Sequence, residues 1–372
     1  MKKIAIIGGG IIGMTLANYL DTQQFEITLY DDGIGQATKA SAGIISPWLS
    51  KRRNKKWYQL AKDGAAFFPK LVKDFELGTS VYNQTGTVIF RKDDELDALY
   101  DFAQQRLIDT PEMGSIERLS EEETTAALPL LKPRKALKIS GGGKLDGLAY
   151  LEKLAQLAKG KGIRLINKKV ELRQLDNKLV ILDNGNSEIF DIVFVTAGPA
   201  IKNLLAPLGY NVDIRPQKGQ LLEFETTHLE SHDWPVVMLD GEADFIPFEQ
   251  GKILIGATHE NEGEWDLTPT QAAYDQLWSH AKEFLVEPYS FQKSPFNYRV
   301  GTRAYTSDFA PFFGEVEPKS NLLVASGLGS SGLTVGPLIG YLLAQKVNHG
   351  IWQTEHYQKP IESYIKKTRI VT

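Results

Sequence analysis

The tightest constraint in this chain is a set of glycines near its start. Gly8-x-Gly10-x-x-Gly13 joins a short apolar run, Lys3 to Ile7, to a stretch from Ile11 to Leu20 with apolar residues at helical spacing. The apolar run reads as a buried parallel strand. Glu26 to Tyr30 (EITLY) reads as a second strand, which completes a βαβ unit. Gly8 permits a tight turn, Gly10 lets backbone approach a pyrophosphate, and Gly13 lets the helix pack closely on the sheet. The helix N-terminus then offers free N–H groups and partial positive charge to phosphates. Asp31 ends the second strand, 18 residues beyond Gly13, where a carboxylate can accept the ribose hydroxyls. The alternative for Asp31 and Asp32 is a plain polar turn before Gly33. Strand, glycines, helix and acid together favour a dinucleotide, and the acid repels a 2′-phosphate, so FAD or NAD is expected before NADP.

The rest of the composition narrows the class. With 372 residues the chain is too long for one compact core and suits two interleaved domains. Net charge is −4, so no global field draws it to nucleic acid. Cysteine is absent, which excludes disulfides, thiolate metal sites, a cysteine nucleophile and cofactor attachment through cysteine. The opening MKKIAIIGGGIIGM imitates a secretory leader, but four glycines interrupt it and no small-residue cleavage site follows. No window reaches the ~18 apolar residues of a membrane span. A soluble, cytoplasmic protein is the expectation, with no metal and no transmembrane segment.

Along the chain, Trp57 to Leu77 is expected to be a helix with Leu60, Phe67, Leu71 and Phe75 on one side, and Val81 to Phe90 a strand or hairpin arm. Glu95 to Arg106 is expected to be a helix, and Pro111 to Lys135 loop and short helix. A new unit begins at Gly141, where Asp146 can cap a helix bearing Leu151, Leu154, Ala155 and Leu157 that ends at Gly160 and Gly162. Two strands joined around Asn177 and a turn at Asp183-Asn184-Gly185 follow, then the buried strand Asp191 to Thr196. From Arg215 to about Glu264 the pattern is mostly strand, Thr270 to Phe284 is helical, and Asn321 to Ser326 is a strand before a helix from Leu333 to Val347. The expected fold is α/β: a Rossmann-like FAD-binding domain in three segments, 1–78, 141–214 and 300–372. An antiparallel β-rich (α+β) substrate domain is inserted as 79–140 and 215–299.

Two further stretches favour FAD over NAD. Ala37 to Pro47 (ATKASAGIISP) carries the small residues Ala40, Ser41, Ala42 and Gly43, which let a loop run against a flat ring, although a flexible surface loop has the same look. Gly327-Leu-Gly329-Ser330-Ser331-Gly332-Leu333-Thr334 joins a buried strand to the last helix. That second helix N-terminus would stabilise negative charge building on a flavin pyrimidine. Simple capping by Ser330 or Ser331 is the plainer alternative.

In this order the motifs resemble the D-amino-acid oxidase family of flavoproteins, which includes glycine oxidase, D-amino-acid dehydrogenase and sarcosine oxidase. The resemblance spans nearly the whole chain. Gly8–Gly13 with Asp31, ASAGIISP at Ala40–Pro47, GGGKLDGLAYLEKLA near Gly141 and DIVFVTAGP at Asp191–Pro199 carry its first half. RPQKGQ at Arg215–Gln220, DFIPFEQGKILIGATHE at Asp244–Glu260, VGTRAYTSDFAPFFG at Val300–Gly314 and the Gly327–Thr334 loop carry the rest. The resemblance implies noncovalent FAD and oxidation of the C–N bond of an amino acid or related amine. Electrons would pass to oxygen or to a quinone or carrier. The candidate cofactor set is Gly8, Gly10, Ile12, Gly13, Asp31, Asp32, Thr38, Ala40, Ser41, Gly43, Ile44, Val170, Ala197, Gly198, Gly329, Ser330, Ser331, Gly332, Leu333 and Thr334.

On the substrate side, the resemblance makes Arg303 the arginine that forks onto a substrate carboxylate, with a structural ion pair as the alternative. Arg299, on the same strand face, is the other candidate. His259 is a candidate pocket residue or a surface histidine, and Tyr298 and Tyr305 could close over a substrate or pack in the core. Two departures stand out. Phe245 occupies the segment where glycine oxidase has a tyrosine, and Ser330 stands where that enzyme has an arginine. Both imply a pocket with fewer polar groups, suited to amines bulkier than glycine. Lys51-Arg52-Arg53-Asn54-Lys55-Lys56 is the one concentrated basic run, expected as a solvated loop face, with attraction of an acidic substrate, an anionic membrane or RNA as the alternatives. The rivals are an NAD-dependent dehydrogenase, a demethylating or tRNA-directed amine oxidase, and a non-catalytic flavin-binding redox sensor.

Overall fold

In the computed structural model, which describes residues 1–368 except Asn177, Asn184 and Glu242, the apolar run at the N-terminus is the strand Lys2–Ile7 near the middle of a six-stranded sheet. It pairs in parallel with Phe25–Tyr30 on one side and Ile192–Val195 on the other, with Ile4 level with both Ile27 and Ile192. Arg164–Ile166 extends one edge and Leu322–Ser326 the other, both parallel, and Phe312–Glu315 closes the second edge antiparallel. Ile4, Ala5 and Ile6 are fully buried because helices cover one face and a three-stranded meander the other. Such two-sided burial is why the strand shows no polar alternation.

The first helix, Ile11–Tyr19, and the last, Gly332–His349, pack together on the helical face. Their contact is close enough that a Cβ on Gly336 would sit 2.6 Å from Ile11, and one on Gly340 would sit 2.9 Å from the Ile12 carbonyl. Residues far apart in sequence therefore bring two helix N-termini to the same end of the sheet. The helix Gly147–Gly160 packs beside them, capped by Asp146, whose carboxylate accepts from the N–H groups of Leu148 and Ala149. The meander Glu171–Leu175, Lys178–Asp183, Asn186–Phe190 is antiparallel throughout, while two of the expected turn residues, Asn177 and Asn184, lie outside the described residues.

A second, larger sheet has eight strands. In order it runs Phe296–Tyr305, Arg215–Glu225, Lys252–Gly256, Asp244–Pro247, Val236–Met238, Thr87–Ile89, Ala136–Ile139, Ile116–Leu119. One face carries a core with Phe224, Phe245, Trp278 and Phe291, against the helix Gln271–Ala281 that Thr270 caps. The opposite face turns Leu221, Ile246 and Leu254 toward Ala42 and Ile44. Residue 300 falls inside the strand Phe296–Tyr305, which pairs with Arg215–Phe224 along its length.

Three local expectations are corrected. The stretch 57–77 is two helices, Lys55–Ala66 and Phe68–Phe75, because Pro69 in the first turn of the second lacks an N–H and would clash in a continuous helix. Leu60, Phe67, Leu71 and Phe75 are nonetheless all buried, as their spacing implied. The run 81–90 is two short strands in different sheets, Tyr82–Asn83 and Thr87–Ile89. Within 111–135 lies a strand, Ile116–Leu119, at the edge of the large sheet, where a partly exposed IERL pattern carries little apolar signal.

Candidate active site

A cavity of about 840 Å3 opens at the C-terminal ends of the parallel strands, lined by Ile7, Thr196 and Ser326 among others, and extends to the face of the large sheet. Ligands gather at this edge of an open α/β sheet because loops and helix N-termini converge there. Gly8 adopts φ +108°, and a Cβ on it would lie 2.6 Å from the Ala197 backbone. A Cβ on Gly13 would lie 1.9 Å from the Gly8 carbonyl oxygen and 2.7 Å from the Thr196 hydroxyl. Gly13 therefore does not line the cavity; it sets the helix against the turn. Gly10 is the N-cap and gives no side-chain cap, so the following N–H groups point outward with one partner, Thr38 Oγ1, which accepts from Ile11 N at 3.0 Å.

The Asp31 carboxylate accepts from the N–H of Gly9 and from that of Gly33 at 2.6 Å, which pins it at the cavity wall. Asp32 also lines the cavity; it is exposed, and its carboxylate accepts from Ile34 N at 3.1 Å. Ile12, Thr38, Ala40, Ser41, Gly43, Ile44, Val170, Ala197 and Gly198 all line the cavity. Gly43, at φ +85°, runs so close to Leu145 that a Cβ would be 2.4 Å from its carbonyl oxygen. The loop 37–47 is thus fixed by packing and by the pairing of Ile44–Ile45 with Gly143–Lys144.

At the far end, Gly329, Ser330, Gly332 and Leu333 line the cavity. Neither serine caps the last helix with its side chain. Ser331 instead donates to the Leu328 carbonyl and accepts from Trp57 Nε1, and Thr334 is buried with its carbonyl against Gly64, so these two do not line the cavity. Two helix N-termini whose own N-cap residues supply no side-chain acceptor, at Ile11 and at Gly332, therefore present their positive ends to one space.

Arg303 and His259 lie where the cavity meets the large sheet. Arg303 is half-buried, and its Nη1 donates to the Thr258 carbonyl at 2.8 Å and to Gln217 Oε1 at 3.4 Å. The guanidinium crosses directly over Gly219, where a Cβ would be 2.4 Å from Nη1. His259 is exposed at the rim. Arg299 is a structural residue: it pairs with Glu223 and, at 3.6 Å, with Asp146, tying the sheet to the helix Asp146 caps. Tyr305 is buried against Gly329 and Phe309, and Tyr298 packs on Phe296, so both tyrosines belong to packing.

Phe245 corrects the sequence reading. It is fully buried on the far face, 6.5 Å from Phe291, because side chains alternate along its strand. Its neighbour Asp244 lines the cavity instead, so the segment presents a carboxyl where fewer polar groups were expected. Burial raises the Asp244 carboxyl to about 7, against the opposing pull of the Leu239 N–H and Arg91. Trp265, from the loop after Lys252–Gly256, also lines the cavity. The sequence signal for Asp244 was its period-two position beside Phe245; Trp265 lies in a loop with no periodicity to read.

Comparison with known proteins gives the same reading. A family described as "FAD dependent oxidoreductase" matches residues 3–346. The chain belongs to that family of FAD-dependent oxidoreductases. It is 37% identical over 357 residues to the uncharacterized oxidoreductase YurR of Bacillus subtilis (strain 168), covering 93% of this chain and 95% of YurR. It is 27% identical to a glycine oxidase of Pseudomonas aeruginosa, over 92% of this chain and 94% of that one. Among solved structures it is similar to iminodiacetate oxidase (IdaA) from Chelativorans sp. BNC1, with TM-score 0.88, 28% identity and 97% and 98% of the two chains covered.

The cavity of this oxidoreductase fits its cofactor. The Gly8–Gly13 turn and first helix would hold the FAD pyrophosphate, Asp31 the ribose, and the Gly329–Leu333 loop the electron-accepting end, where charge develops on reduction. Among the described residues no cluster of His, Cys, Asp or Glu could hold a metal, and no helix is long and apolar enough to cross a membrane. Asp31→Ala is expected to weaken FAD retention by about tenfold or more, since it removes a charge-assisted acceptor and strands the Gly9 and Gly33 N–H groups. Flavin content after gel filtration measures this, and full occupancy in the variant would place the ribose contact elsewhere.

Proposed function

We propose that this oxidoreductase oxidises the C–N bond of an amine that carries a carboxylate, an amino acid or an N-substituted glycine. The observation that carries the reading is Arg303. Its guanidinium is held in the cavity wall by the Thr258 carbonyl, with donors on a planar fork suited to a carboxylate. Two of the similar proteins, glycine oxidase and iminodiacetate oxidase, are named for amines of this kind. Arg303 would anchor the carboxylate and so hold the adjacent C–H toward the cofactor side of the cavity. Bound FAD would supply the chemistry by accepting one hydride from that carbon. The nitrogen loses its proton, the resulting imine takes up water, and the C–N bond breaks to give a carbonyl compound and an amine or ammonia. Asp244, with its carboxyl raised to about 7, stands in the same wall and can hold a proton during the step.

Anaerobic titration of the FAD-loaded protein with glycine, sarcosine, iminodiacetate, L-proline and D-amino acids tests this. Bleaching of the flavin band by carboxylate-bearing amines and not by methylamine or dimethylamine is the expected result. A flavin that none of them reduces would overturn the proposal.

A further inference from the structure

The basic run at 51–56 is not simply a solvated face. Lys51, Arg53, Lys55 and Lys56 are exposed, and Lys56 is tied to the carbonyls of Glu355 and Gln358. Arg52 differs from them in where it goes. Its Nη2 donates to Ser330 Oγ at 3.2 Å, and its guanidinium carbon lies 4.5 Å from the centre of the Trp57 ring. Ser330 lines the cavity, so the guanidinium is hydrogen-bonded to a residue of the cavity wall.

That position is built. Asn54 caps the helix Lys55–Ala66 by accepting from Trp57 N at 3.0 Å, which sets the indole at the start of the helix. Trp57 is buried and donates from Nε1 to Ser331 Oγ at 3.1 Å, which locks the ring against the Gly329–Ser331 turn. Arg52 lies on this platform with one nitrogen spent on Ser330. Among the described residues no carboxylate lies within ion-pairing distance of it, whereas Arg299 and Lys218, near the same cavity, each have one. A cation bonded to the cavity wall on an aromatic platform, with forked donors to spare, calls for an anion supplied by the ligand.

We infer that Arg52 recognises a second carboxylate of the substrate, so that the preferred amine is a dicarboxylate held by Arg303 at one end and Arg52 at the other. This rests on the C–N oxidation proposed above and names its substrate class.

The test compares iminodiacetate with sarcosine, which has one carboxylate, on the FAD-loaded enzyme. The wild type should show the higher kcat/KM with iminodiacetate. In Arg52→Gln the ratio of the two kcat/KM values should fall by roughly fivefold, the size of an ion pair at a solvent-accessible site, with the change in KM rather than kcat. Arg52→Lys should fall between, since it keeps the charge and loses the fork. Arg53→Gln removes the same charge one residue away and should leave the ratio near the wild-type value. A wild type that favours sarcosine, or an Arg53→Gln variant that shifts the ratio as much as Arg52→Gln, would overturn the assignment while leaving the C–N oxidation intact. Failure of both amines to reduce the flavin would count against the underlying reaction instead.

Discussion

Gly13→Ala is expected to yield a protein that no longer retains FAD and unfolds at a lower temperature. The added methyl would sit 1.9 Å from the Gly8 carbonyl oxygen and 2.7 Å from Thr196 Oγ1. Neither neighbour can yield cheaply. Gly8 is held by its N–H to the Tyr30 carbonyl at 2.8 Å, and the Thr196 hydroxyl donates to the Gly8 carbonyl at 2.7 Å. The helix must therefore lift off the turn, at a cost of about 3 kcal/mol by the measure of overpacked cores, and its N–H groups leave the cavity. Gly160→Ala is the matched control. That glycine ends a helix with nothing within 4 Å of the added methyl, so the variant should stay yellow and match or slightly exceed wild-type stability. Flavin absorbance and thermal unfolding read both variants. A Gly13→Ala protein with full flavin and unchanged unfolding would show that the turn and helix are not coupled as described.

Arg303→Ala is expected to lower kcat/KM for a carboxylate-bearing amine by about 10- to 150-fold, the equivalent of about 1.5–3 kcal/mol for a hydrogen bond to a charged group. The loss should be larger than for Arg52→Gln because Arg303 is half-buried deep in the wall and Arg52 is exposed. FAD should remain bound, since the Gly8–Gly13 turn and Asp31 belong to the six-stranded sheet and Arg303 to the eight-stranded one. The Thr258 carbonyl would lose its donor, so a stability measurement must accompany the kinetics. If stability and flavin content are kept and kcat/KM does not move, Arg303 is a structural cation and the carboxylate binds elsewhere.

The sequence by itself determined what depends on local chemistry. Gly8, Gly10, Gly13 and Asp31 announced the dinucleotide turn because strand, turn and helix are consecutive, and the structure keeps them consecutive. Asp146 was legible as a helix cap for the same reason. Arg303 was singled out by a motif that resembles a known family's, and it lines the cavity.

What the sequence left open was which side of a strand a residue shows, and which distant loops meet. Phe245 and Asp244 are adjacent, and only the packing of one face against Phe291 sends the phenyl ring into the core and the carboxyl into the cavity. Arg299 and Arg303 share a strand face, yet Glu223 and Asp146 claim the first. Arg52 and Ser330 are separated by 278 positions, and no local pattern links them. Their contact exists because the Gly336 and Gly340 contacts seat the last helix against the first, and Trp57 locks the turn before that helix. Local propensity acts over a few residues, whereas a binding site is assembled by long-range packing whose free energy is spread across the whole core.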